Sequence, residues 1–462
     1  MSRKILLCEP NYKNRYPPLG LMKLATYYKQ QGDNVKFYKG DLENLKKYYD
    51  YFDIVCITTL FTFYWDITIK TINFCKKLCK DNGKIFIGGI MASLLSNEIE
   101  QATGIKPVQG LLDKPKILDN NKIIIDNLLL DYSILDDIEY KYPVTDSYFS
   151  YMSRGCKRAC NFCMVNKLEP NFVDYIPIKN KIKKINKLYG EKQNLMLLDN
   201  NVFLSNQFNK IVDEIKQVGF YKGACLNDKP RYVDFNQGLD ARLIVKYPER
   251  VKKLSEINLH PFRISFDNWN LKNIFSKAVE IASKNGFKRI AVYLLFNSDM
   301  EGDTPINFYY RIQLCNKLYR EYKNDLYIYP MRYHPFSNSE YLYNRNFIGK
   351  EWNLKYVEAI KGCIDLIHGA TSGKSITNVF GNNETEFKEL LLMPRPFIRY
   401  PNSFKNQKME WSKKWNSLND KQQERAKEII FKNVFNKQVI SQVKNSDIKE
   451  FLKYYLIKEY KK

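Results

Sequence analysis

Long apolar runs are missing from this 462-residue chain. The longest apolar stretches, residues 54–63 and 290–296, fall far short of the roughly 18 residues that cross a bilayer, so no membrane span is expected. The apolar run ahead of Glu9 and Pro10 is also too short for the hydrophobic core of a signal peptide, and a cytoplasmic protein is the expectation. A disulfide framework is lacking too, since ten cysteines are scattered over a long, cytosolic-looking chain. Such usage points to metal or redox chemistry at a few of them. Acidic residues are in deficit, with 50 Asp and Glu against 74 Lys and Arg, for a net charge of +24. Lysine-rich surfaces bind phosphate backbones by releasing counterions, so nucleic acid stands open as a partner or substrate. Against it, Lys, Asn, Ile and Tyr are abundant together, as in any protein from an AT-rich coding sequence. The charge is dispersed, although residues 401–462 carry 15 basic against 7 acidic side chains.

What is present is an alternation of short apolar runs with helical stretches. Strands are predicted over Lys4–Cys8, 35–38, 54–58 and 84–87, with helices over 20–31 and 66–80 between them. Buried runs alternating with helices imply a parallel sheet covered on both faces, a Rossmann-like doubly wound domain. Residues 90–145 hold one further helix, over 94–102, and read as the domain's end and a connector. A second series begins near Tyr148, with strands over 148–153, 195–198, 232–236, 262–266, Arg289–Phe296 and 326–329. Six units at this spacing suffice for a partial (β/α)6 barrel, and polar residues stand at or just past five of the six strand ends, where such barrels carry function. Residues 345–462 read as mostly helical. The expected division is therefore 1–145, 146–344 and 345–462, an α/β protein with a helical C-terminal domain.

The first barrel strand leads into Arg154-Gly155-Cys156-Lys157-Arg158-Ala159-Cys160-Asn161-Phe162-Cys163. Three thiolates on one short loop can cap three corners of a cuboidal [4Fe-4S] cluster and leave the fourth iron open to another molecule. Zinc would normally want a fourth Cys or His at close range, and the nearest histidine is the distant His260. No second cysteine triad is evident for an auxiliary cluster.

In this loop the chain resembles the radical S-adenosylmethionine (SAM) superfamily, whose motif is CxxxCx(aromatic)C, here Cys156, Cys160, Phe162 and Cys163. The resemblance implies a radical SAM enzyme. Its open iron would bind the amino and carboxylate groups of SAM, and one electron would cleave SAM to a 5′-deoxyadenosyl radical. It further implies an electron donor such as flavodoxin or ferredoxin. Where many members carry a Gly-Gly-Glu type segment, this chain has Asp199-Asn200-Asn201, and Asp199 or Asn200 is expected to receive the methionyl ammonium. The segment Asn236-Gln237-Gly238-Leu239-Asp240-Ala241-Arg242 resembles another SAM-contacting stretch, which brings Gln237, Asp240 and Arg242 into the candidate site. Arg242 would pair with the carboxylate of SAM; alternatively Asp240 and Arg242 form a structural ion pair at a barrel rim.

Pro17-Pro18-Leu19-Gly20-Leu21, with Gly88-Gly89 and Ser93 further on, resembles the cobalamin-binding-like domain that precedes the barrel in one large subgroup. Cobalamin therefore joins [4Fe-4S] and SAM as a candidate cofactor, the alternative being a domain of the same fold without the corrin. The Asp-x-His-x-x-Gly signature that supplies a histidine to cobalt is absent. The resemblance leaves the substrate and the reaction after SAM cleavage unspecified, methylation among the outcomes. A nucleic-acid-modifying radical SAM enzyme and a non-catalytic iron-sulfur sensor are the competing readings.

Other signals carry less. Residues 369–375 look like a phosphate-binding loop with one residue too few between the glycines. Cys75 and Cys79 share a helix face without a third partner and read as core. Cys363 stands five residues before His368, and His334 follows the last barrel strand.

Overall fold

The computed structural model of the protein describes residues 2–118, 120–336, 345–372, 375–432 and 435–457. It is a mixed α/β structure in two compact units. The first comprises Met1–Gln237, Lys252–His260 and His334–Phe347, the second Gly238–Val251, Pro261–Tyr333 and Ile348–Lys462. The division between Gln237 and Gly238 falls inside the expected barrel. Among the described residues no helix is long and apolar enough to cross a membrane.

In the first unit, β1 (Lys4–Cys8), β2 (Asn34–Tyr38), β3 (Ile54–Thr59) and β4 (Ile85–Gly89) form a sheet in the order β2-β1-β3-β4, parallel throughout. All four residues from Ile5 to Cys8 are fully buried, as expected of a strand covered on both faces. Helices Leu19–Gln30 and Trp65–Cys75 make the crossovers. Leu6, Cys8, Val55 and Ile57 share one buried cluster with Ile72, Cys75 and Cys79, so the two helical cysteines are core residues. The strand order reverses between β1 and β3, and in open α/β sheets the crevice at such a reversal is the usual ligand site. Beside it the connector is anchored: Lys39 pairs with Glu9 at 3.0 Å, both side chains fully buried, and the rings of Tyr140 and Tyr142 face the ammonium.

Also in this unit, β5 (Ser147–Ser150), β6 (Asn194–Leu197) and β9 (Val233–Phe235) form a parallel three-stranded sheet. Between β6 and β9 in sequence lies a small hairpin of β7 (Cys225–Leu226) and β8 (Lys229–Pro230). Its turn residues Asn227 and Asp228 both take positive φ, the requirement of a two-residue hairpin turn.

The second unit carries β10 (Phe262–Ser265), β11 (Arg289–Phe296) and β12 (Asp325–Arg332), mutually parallel, with β13 (Thr371–Ser372) antiparallel on the edge. All six predicted barrel strands thus form, three in each unit. Thr371 and Ser372 of the loop that resembles a phosphate cradle are this edge strand; Gly373 and Lys374 lie outside the described residues. The helical C-terminal region shares its core with the β10–β12 half. Trp352 packs against Phe296 and Phe308, Phe380 against Phe308, and Phe387 stacks on Tyr309. The Trp352 indole donates to the carbonyl of Asp303 at 2.6 Å.

Candidate metal centre

The loop after β5 is shaped by its own backbone before any ligand is considered. Arg154 and Val173 exchange backbone hydrogen bonds at 3.0 and 2.8 Å, closing the cysteine segment into a loop. Gly155 turns it at φ +74, and a Cβ there would stand 2.6 Å from the carbonyl oxygen of Asn171. Only glycine fits so close an approach in the left-handed region. The Arg154 guanidinium, 9% exposed, binds Glu169 at 2.9 Å and also Asp126. Asp126 in turn holds Lys23 of the first crossover helix at 2.7 Å. Burial raises the Asp126 pKa, but the charges of Lys23 and Arg154 overcome it and leave the carboxyl below its ordinary value.

Three consecutive residues beyond β6 grip the loop from the other side. The Asp199 carboxylate, 1% exposed, accepts from the Met152 N–H at 3.1 Å on both oxygens, from the Ser153 N–H, and from the Ser153 hydroxyl at 2.8 Å. Burial nevertheless outweighs these hydrogen bonds and pushes its pKa up to about 6. Asn200 Oδ1 accepts from the Gly155 N–H at 2.8 Å. Asn201 Nδ2 lies 3.8 Å from the Cys156 sulfur, and its Oδ1 is buried without a hydrogen-bond partner. The register is direct: residues 199, 200 and 201 meet residues 152–153, 155 and 156 in turn.

Cys156, Cys160 and Cys163 are partly exposed and Cys225 is exposed, whereas Cys8, Cys56, Cys75, Cys79, Cys315 and Cys363 are buried. Exposure separates the loop thiols from the six core thiols, and their shared loop separates them from the lone Cys225 of the hairpin. Among the described residues no three Cys, His, Asp or Glu side chains are gathered to hold a single metal ion. A lone zinc needs each thiolate about 2.3 Å from one point; a cuboidal cluster takes one thiolate on each of three irons and so a wider triangle. The donor set, three thiols on one loop with an amide donor beside the first, fits such a cluster.

Among solved structures the chain is similar to the radical S-adenosylmethionine methyltransferase TsrM from Kitasatospora setae. In its structure with cobalamin and a [4Fe-4S] cluster bound, the match has a TM-score of 0.50 and 13% identity over 72% of this chain and 76% of that one. With tryptophan substrate and the SAM analogue aza-SAM bound, the TM-score is 0.50 and the identity 14%, over 72% and 73%. A looser likeness, TM-score 0.43 and 13% identity, links 68% of this chain to 52% of the cobalamin-dependent S-adenosylmethionine radical enzyme OxsB. No family model matches the chain, and no curated protein matches it in sequence. This chain shares its fold with TsrM over 72% of its length.

Within that fold the remaining candidates divide. Phe162 sits partly exposed in the cysteine loop and Gln237 is exposed at the end of the first unit. In the second unit Asp240 caps the helix Ala241–Lys246, and Arg242 returns to its carboxylate through Nε and Nη2 at 2.8 and 3.0 Å. The rim ion pair thus forms, with both carboxylate oxygens engaged. Past β11, Asn297 accepts from the Gly349 N–H at 3.0 Å and so holds the C-terminal segment. Past β10, burial raises the Asp267 pKa to about 6 against the pull of Arg311 and Arg242. Of the cobalamin-like features, Gly89 takes φ +108 against the Thr59 backbone, while Ser93 donates to the Gly89 carbonyl at 2.8 Å and accepts from the Gly110 N–H at 3.0 Å.

Asn201 is the residue that sequence reading passed over. It follows Asp199 and Asn200 directly, but nothing in one sequence ranks three adjacent polar residues; the register against the cysteine loop does.

Proposed function

We propose that this protein is a radical SAM enzyme. A [4Fe-4S] cluster would be held by Cys156, Cys160 and Cys163, SAM would bind beside Asn201, and cobalamin would sit on the first domain, with methylation as the reaction class. The observation that carries the reading is the grip of residues 199–201 on the cysteine loop, which positions three partly exposed thiols in a fold shared with such a methyltransferase. When bound, the cluster, SAM and corrin together supply radical formation and methyl transfer.

The chain's own residues do the rest. Asp199 and Asn200 were the expected acceptors for the methionyl ammonium, but their oxygens already receive hydrogen bonds from the loop. The buried, unpartnered Oδ1 of Asn201 suits that role better, since an acceptor out of water gains from a cation. For the corrin, Phe61 is 44% exposed and nearly parallel to Phe63, with the Arg345 guanidinium 3.6 Å over the Phe63 ring. These residues make an aromatic shelf just past β3, beside the crevice. A flavodoxin or ferredoxin is the electron donor this reading requires.

The test is anaerobic reconstitution with iron and sulfide, then reduction with SAM present and chromatography for 5′-deoxyadenosine, with the Cys156→Ala, Cys160→Ala, Cys163→Ala triple variant as control. Gel filtration with added hydroxocobalamin follows the corrin by its visible absorption. Nucleoside formed only with the cysteines intact supports the enzyme. A cluster that assembles yet cleaves no SAM under any reductant overturns it in favour of a sensor.

A further inference from the structure

Asn201 has two ends, and each faces a different demand. Its side chain is 5% exposed, so both polar atoms lie out of water and each needs a partner there. Thiolate sulfur only accepts hydrogen bonds, and the amide nitrogen only donates them. With Nδ2 3.8 Å from the Cys156 sulfur, the amide therefore presents its N–H to the thiol loop and its oxygen away from it.

The backbone holds the base of that side chain in place. Asn201 takes φ −163 at the start of the turn Val202–Leu204, and its carbonyl accepts from the Leu204 N–H at 3.1 Å. On the preceding side, Asn200 is tied to Gly155 and Asp199 to Met152 and Ser153. The main chain that carries the amide is thus held on both sides, by the turn that follows it and by the contacts of Asp199 and Asn200 before it.

We infer that Asn201 is a positioning residue that tunes the cluster: through Nδ2 it donates to the Cys156 thiolate and makes the bound cluster easier to reduce. This rests on the iron-sulfur reading proposed above. The physical cause is charge. Reduction adds an electron to a cluster already negative through its thiolates, and an N–H dipole aimed at one sulfur stabilises the added charge. Hydrogen bonds to sulfur are among the protein's main controls on such potentials.

The two ends can be separated by substitution. Asn201→Asp keeps the shape and an acceptor oxygen but removes the donor, and Asn201→Leu removes both. Reconstituted proteins are compared by iron and sulfide content, circular dichroism, midpoint potential from an EPR-monitored titration at pH 8, and SAM affinity from equilibrium dialysis. Both variants are expected to show a more negative potential than wild type. SAM affinity should fall by about tenfold or more in Asn201→Leu only.

Potentials unchanged in both variants at full cluster content would overturn the tuning role. So would loss of iron from both at intact secondary structure, which would make Asn201 a loop-folding residue. Failure of the wild type itself to take up a cluster sinks the iron-sulfur reading instead, and is distinguished by the wild-type iron count alone.

Discussion

Asp199 accepts four hydrogen bonds from Met152 and Ser153 while lying almost fully out of water. Asn at this position offers one acceptor and turns an NH2 group toward donors. Asp199→Asn should therefore cost about 1–3 kcal/mol and lower the iron retained after reconstitution, as measured by iron content against an otherwise identical wild-type preparation. The same carboxyl sets a pH dependence. Its folded pKa of about 6 stands above the ordinary value of 3.8, so its contribution is most favourable below about pH 4 and is lost as pH rises through about 6. The difference in denaturation midpoint between wild type and Asp199→Asn should narrow over that interval. Asp126 titrates in the opposite sense. Held below its ordinary value, it stabilises at neutral pH and loses that effect on acidification below about pH 4. Removing it takes a carboxylate from the partly buried Lys23 and leaves Arg154 with Glu169. Asp126→Asn should destabilise by about 3 kcal/mol at pH 7, read from urea midpoints at unchanged slope.

At the level of elements, the cysteine loop depends on one turn. Gly155→Ala places a methyl group against the Asn171 carbonyl at positive φ, and a cost of about 2 kcal/mol is expected, with reduced cluster uptake at unchanged helix content. The elements themselves were largely readable. Period and composition predict the four strands of the first sheet and all six barrel strands to within a few residues, because buried β-runs beside helical stretches leave a local signal. The cysteine motif was legible for the same reason, its residues being adjacent in sequence. What stayed hidden depended on partners distant in the chain. Asn201 differs from Asn200 only by what it meets 45 residues earlier. Thr371 and Ser372 are a strand only because the edge of β12 is open to them, and the Asn227-Asp228 hairpin rests on a pair of positive φ angles that composition alone does not demand.

Across the whole molecule, packing cuts the chain differently from sequence. The expected boundary at 344/345 separates helices from barrel, yet Trp352, Phe380 and Phe387 complete an aromatic core begun by Phe296, Phe308 and Tyr309. A chain ended at residue 344 should collect in the insoluble fraction, and Trp352→Ala should lower stability by about 3–5 kcal/mol, measured by denaturant titration of the full chain. The surplus of 24 positive charges acts at the same scale. Non-specific RNA association is expected, falling steeply between 50 and roughly 200 mM salt, as filter binding at graded salt would record. The grip of residues 199–201 on the cysteine loop has a last consequence. Because hydrogen bonds tie Asp199 and Asn200 to Met152, Ser153 and Gly155, a chain stripped of the proposed cluster by oxygen is expected to keep the fold of that loop and to take up iron and sulfide again. Recovery after an oxidative episode would then be limited by the supply of iron and sulfide, with no need for new synthesis.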